Sequence, residues 1–250
     1  MNHLDFYIDG QWVRPHGRET LEIIDPATER SIGAISLGSR ADLDLAVAAA
    51  RRAFPSYAQW SREQRLELLA AIIEGYRQHA EELVELVHRE MGAPLSLARS
   101  AHVPAGLGHL QRAFDVLRDY EFDRTHGSTL ITREPIGVCG LITPWNWPLN
   151  QLTCKLGPAL AAGCTMVIKP ASQTPFSALA LMELAERAGI PKGVLSVVTG
   201  SAGDIGSELT GNPLVRKLSF TGSTEIGRQL MQECAKDIKK VSLELGGNAP

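Results

Sequence analysis

Five short apolar runs, separated by segments of helix length, constrain the second half of this sequence most strongly. They lie at residues 136–142, 165–168, 194–198, 215–220 and 241–245. Each run is too short for a helix and is rich in Val, Ile and Leu, which is typical of strands buried on both faces. Thr174 and Pro175 supply an N-cap and a first-turn proline for one crossover helix. The pattern predicts an α/β fold with an open, mostly parallel sheet flanked by helices.

The first half of the chain carries helical patterns instead. Ser39 is predicted to cap one helix, and Ser61 with Gln64 forms a capping box for the next. A third helix is predicted to end at Gly92. Residues 121–133 change to short alternating pieces, which predict a hairpin or arm outside the main body.

Charge and composition exclude several classes of partner. The 250 residues are 44% hydrophobic and carry a net charge of −3, so no basic face is expected for nucleic acid or an anionic membrane. The first twenty residues lack the apolar core of a secretory signal, and prolines and amides interrupt the apolar stretch 135–168. The four cysteines form no C-x-x-C pair, which predicts neither a metal site nor a disulfide framework. A reduced, cytoplasmic protein without a membrane partner is expected.

Polar and glycine residues cluster where the five apolar runs end. Ligands of open parallel sheets bind beyond the carboxyl ends of the strands, so the functional site is predicted there. None of these loops is a G-x-G-x-x-G fingerprint. The segment from Gly222 to Gly227 is followed by Arg228 rather than Lys, which disfavours a P-loop nucleotide hydrolase.

Taken together, the loop sequences PWNWP, KPAS, FTGSTEIG and LELGG, in this order, closely resemble the cofactor domain of the aldehyde dehydrogenase superfamily. The resemblance covers nearly the whole chain, because FYIDGQWV and IDPATE also resemble that family's N-terminal region. It implies a Rossmann-like dinucleotide-binding domain made of residues 1–120 and 136–250, with a β-hairpin oligomerisation arm at 121–135. NADP or NAD, a small aldehyde substrate and a homo-oligomer are the implied cofactor and partners.

The resemblance implies two catalytic residues. Asn146 lies between two tryptophans and two prolines, and its amide would stabilise the developing oxyanion of the substrate. Glu244, at the end of an apolar run, would be the general base that activates water, and apolar surroundings would raise its pKa. From the residues alone, Asn146 satisfying loop backbone and Glu244 facing solvent by alternation remain open.

The resemblance also implies a set of cofactor contacts. Lys169 and Ser172 would meet the adenine ribose, and Ser172 stands where NAD-preferring members commonly place a glutamate, so NADP is expected to be accepted. Gly222 and Ser223 open a helix that would face the pyrophosphate, with Trp145 nearby. A lysine in water at a strand end and a plain N-cap are the open alternatives. The remaining implied contacts are Ile142, Thr143, Gly203, Phe220, Gly227, Leu245 and Gly246.

The family's reaction requires a cysteine that forms a thiohemiacetal and then a thioester, and this cysteine lies in a glycine-rich motif beyond LELGG. None of the chain's four cysteines matches it, so the resemblance implies that the catalytic cysteine domain is absent and that this chain in isolation binds cofactor only. A non-catalytic nucleotide-binding or interaction protein is the alternative.

The resemblance gives two conflicting indications about the substrate. Residues 169–250 most resemble bacterial succinate-semialdehyde dehydrogenases. Those enzymes commonly carry an arginine where Cys154 stands, and this arginine can pair with the distal carboxylate of the substrate. Succinate semialdehyde is therefore an alternative substrate, and the presence of Cys154 instead of that arginine argues against it.

Overall fold

A computed structural model describes residues 2–247 of the chain, apart from the side chains of residues 202 and 204. The strands are β1 Asn2–His3, β2 Phe6–Ile8, β3 Gln11–Val13, β4 Thr20–Asp25, β5 Arg30–Ser36, β6 Asp123–His126, β7 Thr129–Thr132, β8 Val138–Ile142, β9 Thr165–Lys169, β10 Leu195–Val197, β11 Val215–Gly222 and β12 Lys240–Leu245. The helices are α1 Arg40–Tyr57, α2 Arg62–Gln78, α3 Ala80–Met91, α4 Leu95–Leu97, α5 Val103–Asp119, α6 Pro148–Ala161, α7 Phe176–Arg187, α8 Ala202–Gly211 and α9 Thr224–Ala235. A π-helical turn, Ala98–His102, connects α4 to α5.

The main sheet has seven strands in the order β12-β11-β8-β9-β10-β2-β3. Its first five strands run parallel, and they are the five strands that the apolar runs predict. Strand β11 extends to Gly222, two residues beyond the predicted end. The predicted α/β fold with a mostly parallel sheet is confirmed.

Side chains of the central strands alternate between two apolar layers. Cys139 and Leu141 of β8 pack with helices α2, α6 and α7, whereas Val138 and Ile142 of the same strand pack with α1, α8 and α9. Because both faces are covered by helices, strands β8, β9 and β10 are buried at every position rather than at every second one. The result is a three-layer arrangement with the sheet in the middle.

The N-terminal strands were not predicted from the sequence. Strands β2 and β3 form an antiparallel hairpin that joins the main sheet beside β10, and β1, β4 and β5 form a separate three-stranded sheet. The turn of the hairpin places Asp9 and Gly10 at φ 54° and 75°. An Asp-Gly pair with positive φ at both residues is the strongest short-range hairpin signal, so the sequence does carry the information.

Three of the predicted helix ends are confirmed and one is wrong. Ser61 and Gln64 form the expected capping box, Ser39 is the N-cap of α1, and α3 ends at Gly92 in the left-handed conformation with φ 80°. The N-cap predicted at Thr174 is wrong, because α7 begins at Phe176 and has no side-chain cap from its own segment. Glu90 of α3 takes that place, because it accepts from the backbone N–H groups of Phe176 and Ser177.

Strands β6 and β7 pair as an isolated antiparallel hairpin at the predicted location of the arm. Almost every residue of the hairpin is exposed. Its role in oligomerisation stays a prediction. Among the helices within residues 2–247, none has the length and apolarity that crossing a membrane requires.

Candidate functional site

The carboxyl ends of the parallel strands bring the predicted cofactor residues to one edge of the sheet. Ile142 of β8 pairs with Lys169 on one side and with Phe220 on the other. Gly222 pairs with Leu245 at the end of the next strand pair. Backbone hydrogen bonds continue this register beyond the strands, from Thr143 N to Lys169 O at 3.2 Å and from Gly246 N to Gly222 O at 3.1 Å. Residues from four strands thus form a contiguous rim.

Lys169 is a buried cation at this rim. Its side chain is 5% exposed, and its Nζ donates to the carbonyl oxygen of Pro170 at 3.0 Å. Burial lowers the pKa of Lys169 to about 8 because the ammonium is poorly solvated. An ammonium has three donors, so Lys169 retains capacity for hydroxyl or phosphate oxygens of a ligand. The open alternative of a solvated lysine at a strand end is wrong.

Ser172 and Trp145 line a cleft of about 540 Å³ beside the rim. The Ser172 hydroxyl donates to the carbonyl oxygen of Gly200 at 3.0 Å. Trp145 presents 54% of its surface to solvent, which leaves the indole available to a ligand. Gly203 lies in the first turn of α8, and the space where a Cβ would stand is open.

At the start of α9, an N-cap serine and two glycines make close contacts with neighbouring residues. Ser223 is its N-cap and accepts from Ile226 N at 3.3 Å, so the N-cap alternative is correct, while the hydroxyl hydrogen of Ser223 stays available to a ligand. A Cβ at Gly222 would overlap the ring of Phe220, and a Cβ at Gly227 would overlap Leu245. Gly227 allows α9 to lie close to Leu245 of β12, with the N-terminus of α9 at the rim.

Asn146 lies exposed in the loop between β8 and α6. The loop ends at Trp147, whose ring stacks on His102 with centroids 3.9 Å apart, and Pro148 is the first residue of α6. The aromatic stack and the proline restrict the conformation of the two residues that follow Asn146.

The apolar surroundings predicted for Glu244 are wrong. Glu244 is exposed near the end of β12 and lines a cavity of about 660 Å³ together with Cys154, Lys155 and Lys217. We call it the Glu244 cavity. Lys155 donates to the hydroxyl of Thr221 at 2.7 Å, and Thr221 pairs in register with Glu244. The carboxylate therefore lies among polar and cationic groups, as the alternation pattern allows.

Comparison with known proteins identifies the family. The sequence matches the aldehyde dehydrogenase family over residues 12–250. The chain belongs to the aldehyde dehydrogenase family. It is 49% identical to a 3-succinoylsemialdehyde-pyridine dehydrogenase of a Pseudomonas species, over 99% of this chain and 52% of the relative. It is 50% identical to a glutarate-semialdehyde dehydrogenase of Pseudomonas putida, over 98% of this chain and 52% of the relative.

Solved aldehyde dehydrogenase structures have the same fold. Aldehyde dehydrogenase C from Pseudomonas syringae, a mutant solved in complex with NAD+ and octanal, superposes with a TM-score of 0.98 at 44% identity, over 99% of this chain and 51% of that one. An E. coli protein described as an NADP dependent enzyme superposes with a TM-score of 0.94 at 47% identity, over 99% of this chain and 52% of that one. The chain spans about half the length of the curated relatives it matches.

The four cysteines differ in their burial and in their partners. Burial raises the pKa of the Cys154 and Cys234 thiols, which disfavours the reactive thiolate. Cys139 and Cys164 are hydrogen-bonded to each other in the core, and this bond lowers the pKa of Cys164 to about 6. Cys164 is 4% exposed and lies in the wall of the Glu244 cavity. That none of the four is the nucleophile stays a prediction.

Three polar groups of the site lie outside the predicted set. Lys155 is the only charged residue between residues 135 and 168, which is the sequence signal that could have singled it out. His109 and Asn150 lie 41 residues apart in sequence and meet between α5 and α6, where Asn150 Nδ2 donates to His109 Nε2 at 2.9 Å. No local sequence pattern predicts the contact between His109 and Asn150.

Proposed function

We propose that this chain supplies the cofactor site and two catalytic groups for the NAD(P)-dependent oxidation of an aldehyde to a carboxylic acid. The observation that carries the proposal is the register of β8, β9, β11 and β12, which gathers the family's cofactor residues at one rim. The names of the curated relatives, all aldehyde or semialdehyde dehydrogenases, support it and do not favour a non-catalytic nucleotide-binding protein.

The residues at the rim fit a dinucleotide. Lys169 has spare donors in a buried position, which suits ribose hydroxyls, and the N-terminus of α9 at Gly222 and Ser223 suits the pyrophosphate. Ile142, Thr143 and Phe220 would complete the site beside the strands. When bound, NAD(P)+ would supply the two-electron acceptor for the reaction.

Ser172 supports acceptance of NADP. A carboxylate at this position would repel a 2′-phosphate by about 4 kcal/mol at 4 Å and an effective dielectric of 20. A serine hydroxyl carries no charge and removes that repulsion. The E. coli relative described as an NADP dependent enzyme is in keeping with this reading.

The catalytic groups of this chain have separate tasks. The Asn146 side-chain amide would donate to the substrate carbonyl oxygen as negative charge develops there. Glu244 would accept a proton from the water that cleaves the acyl intermediate. The reaction also needs a cysteine nucleophile, and we assign that role to none of the four cysteines described above.

The wider organisation is part of the proposal. Residues 1–120 and 136–250 would form the dinucleotide-binding domain, and the hairpin within 121–135 would pair with a second copy to form a homo-oligomer. The exposed apolar side chain of Leu130, 66% accessible, supports an interface on that hairpin. A cytoplasmic location is supported by the free thiols of all four cysteines.

A fluorescence titration tests cofactor binding. Adding NADP or NAD to the purified chain should quench the emission of Trp145, and Trp145→Phe should remove most of that quenching. Ser172→Glu should weaken NADP binding by at least about tenfold while NAD binding changes little, because only NADP carries the 2′-phosphate. Ser172→Ala, which adds no charge, is the control. An unquenched Trp145, or equal effects of Ser172→Glu on both cofactors, would contradict the assignment.

A further inference from the structure

Two thiols lie beside each other on one face of the main sheet, where β8 and β9 begin. Cys139 pairs in register with Met166 of β9, and Cys164 precedes Met166 by two residues. Side chains two residues apart on a strand share a face, so Cys139 and Cys164 lie on the same side of the sheet. Both belong to the apolar layer formed with α2, α6 and α7. The Cys139 thiol donates a hydrogen bond to the Cys164 sulfur.

The surroundings of Cys164 favour a negative charge on its sulfur. A Cβ on Gly163, the preceding residue, would lie 2.9 Å from the guanidinium carbon of Arg65, so this cation lies against the backbone beside Cys164. Arg65 is 7% exposed and donates to two backbone carbonyl oxygens, and no carboxylate in the described part of the chain pairs with it. The Cys139 hydrogen bond, two backbone groups and the Arg65 charge lower the pKa of Cys164 to about 6, against the effect of burial. Cys164 is therefore a thiolate at neutral pH, and the thiolate is the reactive form.

The Glu244 cavity gives small molecules access to this sulfur. Cys164 lies in the wall of the cavity, which has a volume of about 660 Å³. Lys217 lines the same cavity, and its charge favours the thiolate of Cys139 when that thiol gives up its proton. Cys154 also lies in this wall and is the more exposed thiol, but burial raises its pKa. The chain thus contains its own control, because Cys154 shares the access of Cys164 but not its lowered pKa.

We propose that Cys164 and Cys139 form a reversible oxidation site for small hydroperoxides. The Cys164 thiolate attacks the terminal oxygen of ROOH, the O–O bond breaks, ROH leaves after taking a proton from solvent, and Cys164 becomes a sulfenic acid. The Cys139 sulfur then attacks the Cys164 sulfur, the S–O bond breaks, and the departing hydroxide takes the Cys139 proton and leaves as water. Two thiols are thereby oxidised to a disulfide while the hydroperoxide is reduced by two electrons. A small thiol such as glutathione restores both cysteines by thiol–disulfide exchange.

The disulfide would close a loop that contains one proposed catalytic group. Residues 139–164 hold most of β8, the loop with Asn146, and helix α6. The oxidation state of the pair therefore sets a covalent constraint on the segment that carries Asn146. Oxidation of the pair does not depend on the proposed function, because neither Asn146 nor Glu244 takes part in it.

Mass spectrometry of the peroxide-treated 250-residue chain tests the pair. Hydrogen peroxide is added in equimolar amount at neutral pH, the remaining thiols are blocked with iodoacetamide, and the chain is digested without reductant. Trypsin cleaves after Lys155, so a Cys139–Cys164 disulfide joins two peptides, and fragment ions distinguish Cys139 from Cys154. We expect this cross-link to form while Cys154 and Cys234 stay alkylated, and glutathione should reverse it. Oxidation of Cys154 before Cys164, a Cys154–Cys164 disulfide, or the lack of any cross-link would overturn the proposal.

Three serine variants separate the roles of the two thiols. Cys139→Ser keeps a hydrogen-bond donor beside Cys164 but removes the second thiol, so dimedone should label the Cys164 sulfenic acid and no cross-link should form. Cys164→Ser should slow peroxide consumption by at least about tenfold, because the thiolate is lost. Cys234→Ser is the matched control, since Cys234 is a buried thiol on α9 whose pKa is raised by burial, and it should change neither result. Equal peroxide consumption by Cys164→Ser and the unchanged chain, or no dimedone label in Cys139→Ser, would contradict the assignment of Cys164 as the attacking thiol.

Discussion

Glu90 of helix α3 caps helix α7, and its replacement tests how the start of α7 is held in place. The side chain is 3% exposed, its Oε2 accepts from Phe176 N at 2.5 Å, and its Oε1 accepts from Ser177 N at 3.0 Å. These are two of the backbone donors that the first turn of a helix leaves without partners. Ser172, Gln173 and Thr174, which precede α7, line the cleft of about 540 Å³ together with Glu90 itself, so Glu90 helps to position one wall of it.

Glu90→Gln leaves one acceptor oxygen for two N–H donors. The second donor stays buried without a partner and faces the glutamine amide, which costs about 1 to 3 kcal/mol of unfolding free energy. Urea unfolding followed by circular dichroism measures this loss, and Glu82→Gln, an exposed position on the same helix, is the control. A midpoint for Glu90→Gln equal to that of the control would refute the capping role.

The same residue predicts a pH dependence. Burial raises the pKa of Glu90 to about 7, above the ordinary value of 4.5 that applies in the unfolded chain. The folded state thus binds the proton more tightly. The stabilisation is fully present below pH 4.5 and is lost as pH rises through about 7, by up to about 3 kcal/mol. Glu90→Gln should lack this slope between pH 5 and 7.5, and an unchanged slope would refute the linkage.

Three further predictions concern other parts of the chain. The affinity for NADP should fall as pH rises through about 8, because Lys169 then loses the charge that attracts phosphate, and fluorescence titrations from pH 7 to 9.5 should show it. Gly193→Ala should lower the unfolding free energy by about 1 to 3 kcal/mol, because its φ of 78° disfavours a side chain and the added Cβ would lie 2.7 Å from the backbone oxygen of Ala49, and urea unfolding measures it. Ser61→Ala should cost about 1 kcal/mol in the same assay, because it breaks the capping box with Gln64.

The parallel sheet could be predicted because its signal is local. Each central strand is a continuous apolar run, and the polar residues that end the runs at Lys169 and Gly222 fall at the same edge once the strands pair in register. The N-terminal strands are only three residues long in β2 and β3, too short for a periodic pattern to appear.

The errors at Thr174 and Glu244 have a common physical cause. The cap of α7 comes from Glu90, more than eighty residues earlier, so local sequence points to the neighbouring threonine instead. The exposure of Glu244 depends on which groups pack against β12, and the run Val241–Leu245 is compatible with either a buried or an exposed carboxylate. Tertiary contacts of this kind are invisible in a single sequence.

The hairpin of β2 and β3 has a consequence for the order in which the chain folds. Tyr7 pairs with Val197, roughly 190 residues later, so the first strands to be synthesised are among the last to find their place. At about 5 to 20 residues per second, the ribosome exposes Phe6–Ile8 for about 10 to 40 s before β10 exists. During that interval the hairpin has no neighbouring strand of the main sheet to pair with. Removing the hairpin should therefore change how much nascent chain is captured by chaperones, independently of the stability of the finished fold.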